Sequence, residues 1–443
     1  MPRFLIRSDT PMAVASGALL AAALAFGLVS PPLFGVGLMA AVAAGIGFLA
    51  LRFPIAFSVA WLWTAGLTLE MTFHDLAGPE TFQPVIAVIK GTQIGLAALC
   101  MIRFGPRADP LNPAWAFPVM LATGLVRGLY PHLSAADSVR SMIGSVAPFA
   151  FCFCRMPARW AEAMIQATKW APAIAVLASL PLAAADIRPL FVDSGGARLA
   201  GLGHPAFLAG VCLPAIYACL IQLFRHGRGG DLALLVVNFL ILTLTGARAP
   251  FVYAIAVTGL SLVSIHSAIF PARQRLLLVL TALGLLPVLL LLGGGLDEIR
   301  LFNVFLHETG NLSGRDLLWP SFQDAAARSP WFGWGTGAGN AVVSPQGRVA
   351  QTLHTWAAHN EYLRIQVEGG ALGEGLLIVL SAGWTIVHTR GLPAPERRIM
   401  RLALLALGLH AITDNVLIST PACVFFAFAA AVFARGDPLE APE

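Results

Sequence analysis

Apolar residues in this chain occur in long, predominantly apolar runs, not in the alternating patterns of soluble helices and strands. The runs are about 17 to 25 residues long, enough for a helix rising about 1.5 Å per residue to cross a hydrocarbon core of roughly 30 Å. About fourteen such spans are predicted, at residues 12–30, 34–51, 54–73, 83–103, 112–130, 139–155, 162–183, 204–225, 231–246, 249–268, 274–293, 361–388, 398–413 and 416–434. The short neighbours 231–246 and 249–268, or 398–413 and 416–434, could merge or re-enter, which would leave twelve.

Composition agrees with this pattern. Hydrophobic residues make up 57% of the 443 residues and charged residues 12%, and the mean hydropathy is +0.77. A soluble domain of this length does not have such a composition. The predicted fold class is therefore all-α, a polytopic membrane bundle of about 12 to 14 transmembrane helices with one long periplasmic loop.

The basic residues set the predicted orientation, because cytoplasmic loops carry the excess of Lys and Arg. With the N-terminus in the cytoplasm, the inner turns carry Arg3, Arg7, Arg52, Arg103, Arg107, Arg155, Arg159, Arg225, Arg228, Arg273, Arg275, Arg390, Arg397, Arg398 and Arg401. The short outer loops at 30–32, 74–84 and 412–420 carry none. This bias accounts for the net charge of +5, so the charge indicates no nucleic-acid partner.

The chain divides into N-terminal transmembrane helices at 1–230 and a second region at 231–436. The second region contains a loop at 294–358 with no apolar run of spanning length, and parity places this loop on the outer side. Loops this long are usually functional. Its glycines at 333, 335, 337 and 339 could present amide groups to a phosphate, or could serve turns without any ligand.

Charged residues gather where this loop meets the next helix. Arg364 and Glu368 are spaced i,i+4 and are predicted to pair, mainly in a structural role. His410 and Asp414 have the same spacing near the last outer turn. The six cysteines all lie in apolar runs, where they act as small hydrophobes, and the sequence predicts no metal site and no cofactor.

Several motifs resemble one known family. Thr245-Gly246-Ala247-Arg248, Ser313-Gly314-Arg315, the loop 330–337, and His359-Asn360-Glu361-Tyr362 followed by Gly369, Gly370 and Gly373 are similar to the conserved domain of O-antigen ligases and exopolysaccharide polymerases. The resemblance covers roughly residues 235–415. One departure is Ala247, since members often have Ser before the arginine.

The resemblance implies a metal-independent, inverting glycosyltransferase of the bacterial inner membrane with a periplasmic active site. Its donor would be a glycan on an undecaprenyl-diphosphate carrier, and its acceptor lipid A–core in a ligase or another glycan in a polymerase. The sequence leaves this choice open, with a slight preference for a polymer-forming role. Polysaccharide assembly proteins are possible partners, besides the lipid bilayer.

The chemistry of this reaction suggests roles for three residues. Negative charge grows on the leaving diphosphate, and guanidinium groups grip phosphate oxygens in a bidentate fork. Arg248 and Arg315 are therefore assigned to the diphosphate, the alternative being an interfacial arginine or a loop salt bridge. His359 is the candidate base, because histidine accepts protons near neutral pH and the dipole of the following helix favours its neutral form. His354 lacks the motif context.

Other polar residues are assigned supporting roles. This set comprises Asn360, Glu361, Arg364, Glu368, His410 and Asp414. Further basic residues could hold lipid phosphate, although interfacial snorkelling explains Lys90 equally well. They are Lys90, Arg127, Arg140, Arg188 and Arg198.

Two other classes of function remain open. A flippase or transporter for lipid-linked oligosaccharides would place charges near the bilayer midplane on broken helices, whereas here they cluster at one face. A scaffold in a polysaccharide export complex would tolerate replacement of the arginines.

Overall fold

A computed structural model describes residues 45–193, 196–276, 315–353 and 355–436, without the side chains of Arg315, Asp316 and Val349. The predicted span 12–30, most of 34–51 and nearly all of 274–293 lie outside the described residues. So do His354, Ser313, Gly314 and the first part of the long loop.

The described chain is almost entirely helical, which confirms the predicted all-α class. The helices are α1 Gly45–Arg52, α2 Pro54–Gly66, α3 Glu70–Ala77, α4 Phe82–Phe104, α5 Ala116–Arg127, α6 Ala135–Val146, α7 Ala158–Ala184, α8 Pro205–His226, α9 Gly229–Leu244, α10 Arg248–Ser264, α11 Arg315–Ala327, α12 Ala338–Ala341, α13 Arg348–Leu353, α14 Glu361–Arg390, α15 Ala394–His410 and α16 Thr420–Ala434. Three 3-10 turns lie at Pro79–Thr81, Pro113–Trp115 and Ala147–Phe153. A hairpin of β1 Phe191–Asp193 and β2 Ala197–Leu199 pairs Phe191 with Leu199.

Among the described residues, fewer helices are long enough to cross a membrane than the sequence predicted for the same part of the chain. Among the described residues four qualify by length and composition, namely α4 with its preceding turn, α7, α8 and α14. A fifth is counted if α1 and α2, which bend by 109°, form one span, and α9, α10 and α16 are shorter apolar helices. The protein is therefore a multi-pass membrane protein. Several segments that were predicted as single full-length spans instead form shorter helices.

Proline and glycine explain these shorter helices. The predicted span 112–130 contains a helix of 12 residues that stops at Gly128, whose φ is 110°. The predicted span 139–155 becomes α6 and then a 3-10 turn that contains Pro148, a residue without an amide hydrogen for the helical ladder. The possible mergers do not occur, because Gly246, with φ 65°, separates α9 from α10, and residues 411–419 separate α15 from α16.

Two helices form the centre of the described bundle. All fifteen residues of α16 are buried, and so are most residues of α8. Around them pack α2, α7, α9, α10 and α15. The core therefore joins segments of both predicted regions, although the boundary at residue 230 stays a prediction.

The arginine-rich turns meet at one end of the bundle. There the Arg107 guanidinium donates to His388 Nδ1 at 2.9 Å, and His388 Nε2 lies 2.8 Å from Asp109 Oδ2. At the same end Arg435 binds Glu396 at 3.0 Å. The β-hairpin, residues 411–419 and the start of α14 lie at the opposite end.

Helix α14 is broken at Gly370, which has φ 58° and ψ −162°. The segment 330–335 fills the break: Trp334 N donates to Val367 O at 2.9 Å, and Ala371 N donates to Pro330 O at 2.8 Å. Gly335 N donates to Glu368 O at 2.9 Å. The amides of Trp334 and Gly335 thus bind the broken helix and are not free for a phosphate. A Cβ at Gly333, Gly335, Gly337 or Gly339 would collide with neighbouring atoms, so of the two roles considered for these glycines the structure supports packing.

Candidate functional site

A cavity of about 780 Å³ opens at the hairpin end of the bundle. Its wall comes from α4, α6, the residues 355–359, the residues 414–419 and the first turns of α8 and α16. Seven of its lining residues are titratable groups that the sequence singled out: Lys90, Arg140, His359, Arg364, Glu368, His410 and Asp414.

His359 stands at the entry to α14 in a left-handed backbone conformation, with φ 45°. The next residue, Asn360, caps the helix, because its side-chain Oδ1 accepts from Leu363 N at 3.2 Å. The imidazole is 33% exposed. Its Nδ1 lies 3.3 Å from Asp414 Oδ1, and its Nε2 lies 3.1 Å from Thr355 Oγ1.

Asp414 fixes the state of this histidine. Burial by itself would raise the pKa of Asp414, but the hydrogen bond and charge of His359, followed by the charge of His410, lower it to about 2. The carboxylate is thus ionised at neutral pH and accepts a hydrogen bond from the protonated Nδ1. Nε2 is left as the basic nitrogen that faces the cavity.

The predicted pair of His410 and Asp414 is present but longer, at 3.9 Å between Nε2 and Oδ2. The sequence missed the main partner of Asp414. His359 and Asp414 are 55 residues apart in the chain, and no local spacing connects them.

Arg364 is held inside α14 between two carboxylates. Its guanidinium binds Glu361 and, at 2.8 Å, Glu368, and all three residues are buried. The predicted Arg364–Glu368 pair is therefore confirmed. The second oxygen of Glu361 accepts from Leu417 N at 2.7 Å, so this triad also positions the residues that follow Asp414.

One guanidinium nitrogen remains available in this triad. Arg364 Nη2 is buried without a hydrogen-bond partner in the described part of the chain, and Arg364 lines the cavity. A buried donor without a partner is costly, and an anion in the cavity would satisfy it.

Lys90 does not snorkel to the surface. Its Nζ donates to Gly144 O and to Ile418 O, each at 2.8 Å, and the residue is 9% exposed. It therefore ties α4 to α6 and to residues 414–419 while it lines the cavity. Apolar residues flank Lys90 in the sequence, and this pattern does not indicate whether the side chain points into the bundle or towards the membrane surface.

The structure does not show Arg248 and Arg315, the two residues predicted to bind the diphosphate, in the lining of this cavity. Arg248 is the first residue of α10 and is partly buried, but it does not line this cavity. Its helix packs against α15 next to the site, where Tyr253 and His410 have ring centroids 5.5 Å apart. Arg315 begins α11, and its side chain lies outside the described part.

The other basic candidates have different environments. Arg140 is 82% exposed at the cavity and pairs with Asp137 at 3.2 Å. Arg127 lies over the Trp334 ring, 4.0 Å from its centroid, and Arg188 is buried against Asp75 at 2.9 Å, so both are structural. Arg198 Nε donates to Thr245 O at 2.8 Å, beside the motif that ends in Arg248.

His204 is a further histidine near the site that the sequence did not single out. Burial, followed by the charge of Arg198, lowers the pKa of His204 to about 4. Its Nδ1 accepts from Ala206 N at 3.2 Å and caps α8. It is therefore neutral and structural at physiological pH.

The site thus holds a histidine with a fixed tautomer, a paired carboxylate and several cations around one cavity. This arrangement can remove a proton from a hydroxyl group and bind an anion close by. In the described residues no group of three or more His, Cys, Asp or Glu side chains has the arrangement of a metal site.

Comparison with known protein families finds a match within the second half of the chain. Residues 233–378 match the family model described as O-antigen ligase. No curated protein matches the chain. The matched residues include His359 and the α14 triad, whereas Lys90, Arg140 and Asp414 lie outside them. The resemblance of the motifs is confirmed over residues 233–378, and this part of the chain is similar to the O-antigen ligase family.

Proposed function

We propose that this protein transfers a glycan from an undecaprenyl-diphosphate carrier to a sugar hydroxyl at the periplasmic face of the bacterial inner membrane. The observation that carries the proposal is the His359–Asp414 pair, which lines a cavity together with Lys90, Arg140 and Arg364. The match of residues 233–378 to the O-antigen ligase family supports it.

His359 Nε2 takes the proton of the acceptor hydroxyl as its oxygen attacks the anomeric carbon of the donor. The bond from that carbon to the diphosphate oxygen breaks on the opposite side, so the configuration inverts. Asp414 accepts from Nδ1 and stabilises the imidazolium that forms. The electron pair leaves with the lipid diphosphate.

Cations of the chain stabilise that leaving group without a divalent metal. The described lining carries Lys90, Arg140 and Arg364 against the carboxylates of Glu368 and Asp414. This balance is only weakly positive, so we assign the remaining charge to Arg248 and Arg315, in agreement with their motifs. Guanidinium groups suit this task because they bind two phosphate oxygens at once.

The apolar part of the cavity suits the carrier lipid. Ile86, Ile94, Leu213 and Phe425 line it alongside the polar groups, and α4 exposes apolar side chains such as Val88 and Ile102. A polyprenyl chain would lie against this helix with its diphosphate at the polar end.

The acceptor is either lipid A–core or another lipid-linked repeat. A deletion strain separates these: polymer that is made but not attached indicates a ligase, and single repeats indicate a polymerase. Polysaccharide assembly proteins would act with the enzyme in either case.

The direct test uses purified protein in detergent with a lipid-diphosphate-linked glycan and an acceptor. His359→Ala is expected to lower the transfer rate by on the order of 10²-fold or more, since this is the usual contribution of a general base. His266→Ala is the matched control, because His266 is exposed and lies outside the cavity. Full activity of folded His359→Ala would end the proposal.

The same assay tests the arginines and the alternative class. Arg248→Gln and Arg315→Gln are each expected to lower the rate by on the order of 10²-fold, with exposed Arg348→Gln as control. A flippase or transporter forms no product when there is no second compartment.

A further inference from the structure

The basic nitrogen of His359 is already occupied in this structure. A neutral imidazole offers one lone pair, and with the proton on Nδ1 that lone pair is on Nε2. The Thr355 hydroxyl lies 3.1 Å from Nε2 and accepts from Ala357 N at 3.3 Å. Thr355 thus donates to the base, and an acceptor hydroxyl cannot bind there until Thr355 leaves.

The residue after Thr355 presents an aromatic surface to the same cavity. Trp356 is 39% exposed and lines the cavity together with Asn340, Thr355 and His359. An indole ring offers a flat, weakly polar face that fits the C–H face of a sugar ring. The Asn340 amide can both donate to and accept from sugar hydroxyls.

The ends of this short segment are fixed while its middle faces the cavity. Thr355 N donates to Ala350 O at 3.2 Å, and Trp319 Nε1 donates to Ala358 O at 2.9 Å. Trp356 and Ala357 lie between these anchors and line the cavity. A sugar ring bound to Trp356 would therefore contact the residue that directly follows Thr355, whose hydroxyl covers His359 Nε2.

We propose that residues 355–357 form an acceptor-sensing segment, in which Trp356 binds a sugar ring of the acceptor and Thr355 blocks His359 Nε2 until that sugar arrives. This inference rests on the proposed function and assigns the acceptor subsite to named residues.

The segment protects the donor from water. A base with a free lone pair next to a bound lipid-diphosphate glycan would deprotonate water as readily as a sugar, and the glycan would be hydrolysed. In that side reaction a water oxygen bonds to the anomeric carbon, its proton goes to Nε2, and the bond to the diphosphate breaks with its electron pair. Exclusion of such reactions is a general role of closed active sites.

The block itself is tested without any glycan. Carbethoxylation of His359 by diethyl pyrocarbonate, followed by mass spectrometry of its peptide, reports whether Nε2 is free. Thr355→Val removes the hydroxyl at nearly constant volume and is expected to raise the reactivity several-fold, while Thr355→Ser restores it towards the wild-type value. Thr352→Val is the matched control, because the Thr352 hydroxyl is exposed and binds Arg348 O within α13. Equal reactivity of the Thr355→Val and wild-type proteins would refute the block.

The second measurement follows donor hydrolysis and transfer together. Thr355→Val is expected to hydrolyse lipid-diphosphate-linked glycan several-fold faster than wild type when no acceptor is present, and Thr355→Val with His359→Ala abolishes the gain. A fall in both hydrolysis and transfer in folded Thr355→Val would instead make Thr355 a proton relay and overturn the inference.

The sugar subsite has its own variants. Trp356→Ala is expected to raise the acceptor KM several-fold more than it lowers kcat, and Trp356→Phe to restore most of the affinity. Lipid A–core serves as the acceptor in one arm and lipid-linked repeat in the other. Trp331→Ala is the control, since Trp331 is exposed outside the cavity. An unchanged acceptor KM of Trp356→Ala in both arms would refute the subsite. If the wild-type protein shows no glycan transfer, the proposed function is refuted. The block of His359 Nε2 by Thr355 would then still be tested by the reactivity of the histidine.

Discussion

His359 is held by hydrogen bonds on both sides of its ring, and its backbone is held in a conformation that few residues adopt. Asp414 binds one nitrogen and Thr355 the other. The φ of 45° turns the side chain from the end of the loop towards Asp414. The position of the imidazole, its tautomer and the partner of its Nε2 are therefore decided by different residues.

Replacement of Asp414 by Asn is expected to lower the transfer rate by on the order of 10²-fold, because the imidazole loses the anion that orients it and stabilises its charged form. The carboxylate itself stays ionised in the working range. The rate of glycan transfer to the acceptor, measured between about pH 6 and 8, checks this prediction. An Asp414→Asn enzyme as fast as wild type would contradict it.

The stability that Asp414 contributes has a defined dependence on pH. The pKa of Asp414 is about 2 in the folded protein, below its usual 3.8, so its contribution is present above pH 3.8 and is lost as the pH falls through 2. The difference in thermal midpoint between wild type and Asp414→Asn should shrink as the pH falls below about 4. A difference that shrinks already near neutral pH would contradict the ionised pair.

The backbone at position 359 makes a prediction separate from the chemistry. His359→Ala and His359→Gly both remove the base, but alanine is strained at positive φ by on the order of 1 kcal/mol, whereas glycine is not. His359→Gly should therefore be at least as stable as His359→Ala, even though glycine gains more entropy on unfolding. Thermal unfolding in the same detergent checks this, and a clearly more stable His359→Ala would contradict the backbone conformation.

Helix α14 is the element that organises the site. Asn360 caps its start, and Glu361, Arg364 and Glu368 follow on the side that faces residues 411–419 and the cavity. The helix then breaks at Gly370, where the segment 330–335 supplies the missing backbone partners. The break thereby fixes the segment 330–335 beside the candidate site.

Replacement of Gly370 by Ala tests this junction. A Cβ there would lie 2.4 Å from the carbonyl carbon of Trp331, at a φ that favours glycine, so the segment 330–335 must move. The expected result is a loss of thermal stability and of glycan transfer. Gly95→Ala is the matched control in α4, because a Cβ there meets nothing within 4 Å. Wild-type stability of Gly370→Ala would contradict the close packing.

Residues from both halves of the chain line the cavity. The family match spans residues 233–378, yet Lys90 and Arg140 come from before it, and residues 414–425 come from after it. The buried helices α8 and α16 hold these parts together. The N-terminal helices are therefore part of the site as well as of the membrane anchor.

Cysteine labelling tests the orientation of the molecule. All six native cysteines are buried, so the wild-type protein should not react with a membrane-impermeant maleimide. Gln346→Cys, exposed at the His359 end, should be labelled from outside the inner membrane, whereas exposed Gly229→Cys should react only after the membrane is opened. The reverse pattern would contradict a periplasmic site.

The sequence by itself determined the class of the protein and the local features of the site. The length of the hydrophobic runs indicated membrane helices, because a helix that crosses the bilayer needs about 20 consecutive, mostly apolar residues. The start of α14 after His359 and the Arg364–Glu368 pair followed from spacing along one helix. The motifs in order indicated the family.

The tertiary structure decided which distant residues complete the site. Asp414 reaches His359 across 55 residues, Lys90 turns inward to carbonyls of α6 and residue 418, and the segment 330–335 enters the break in α14. These contacts depend on how helices pack and loops close over long separations, and a local pattern of hydrophobic and polar residues contains no information about such contacts.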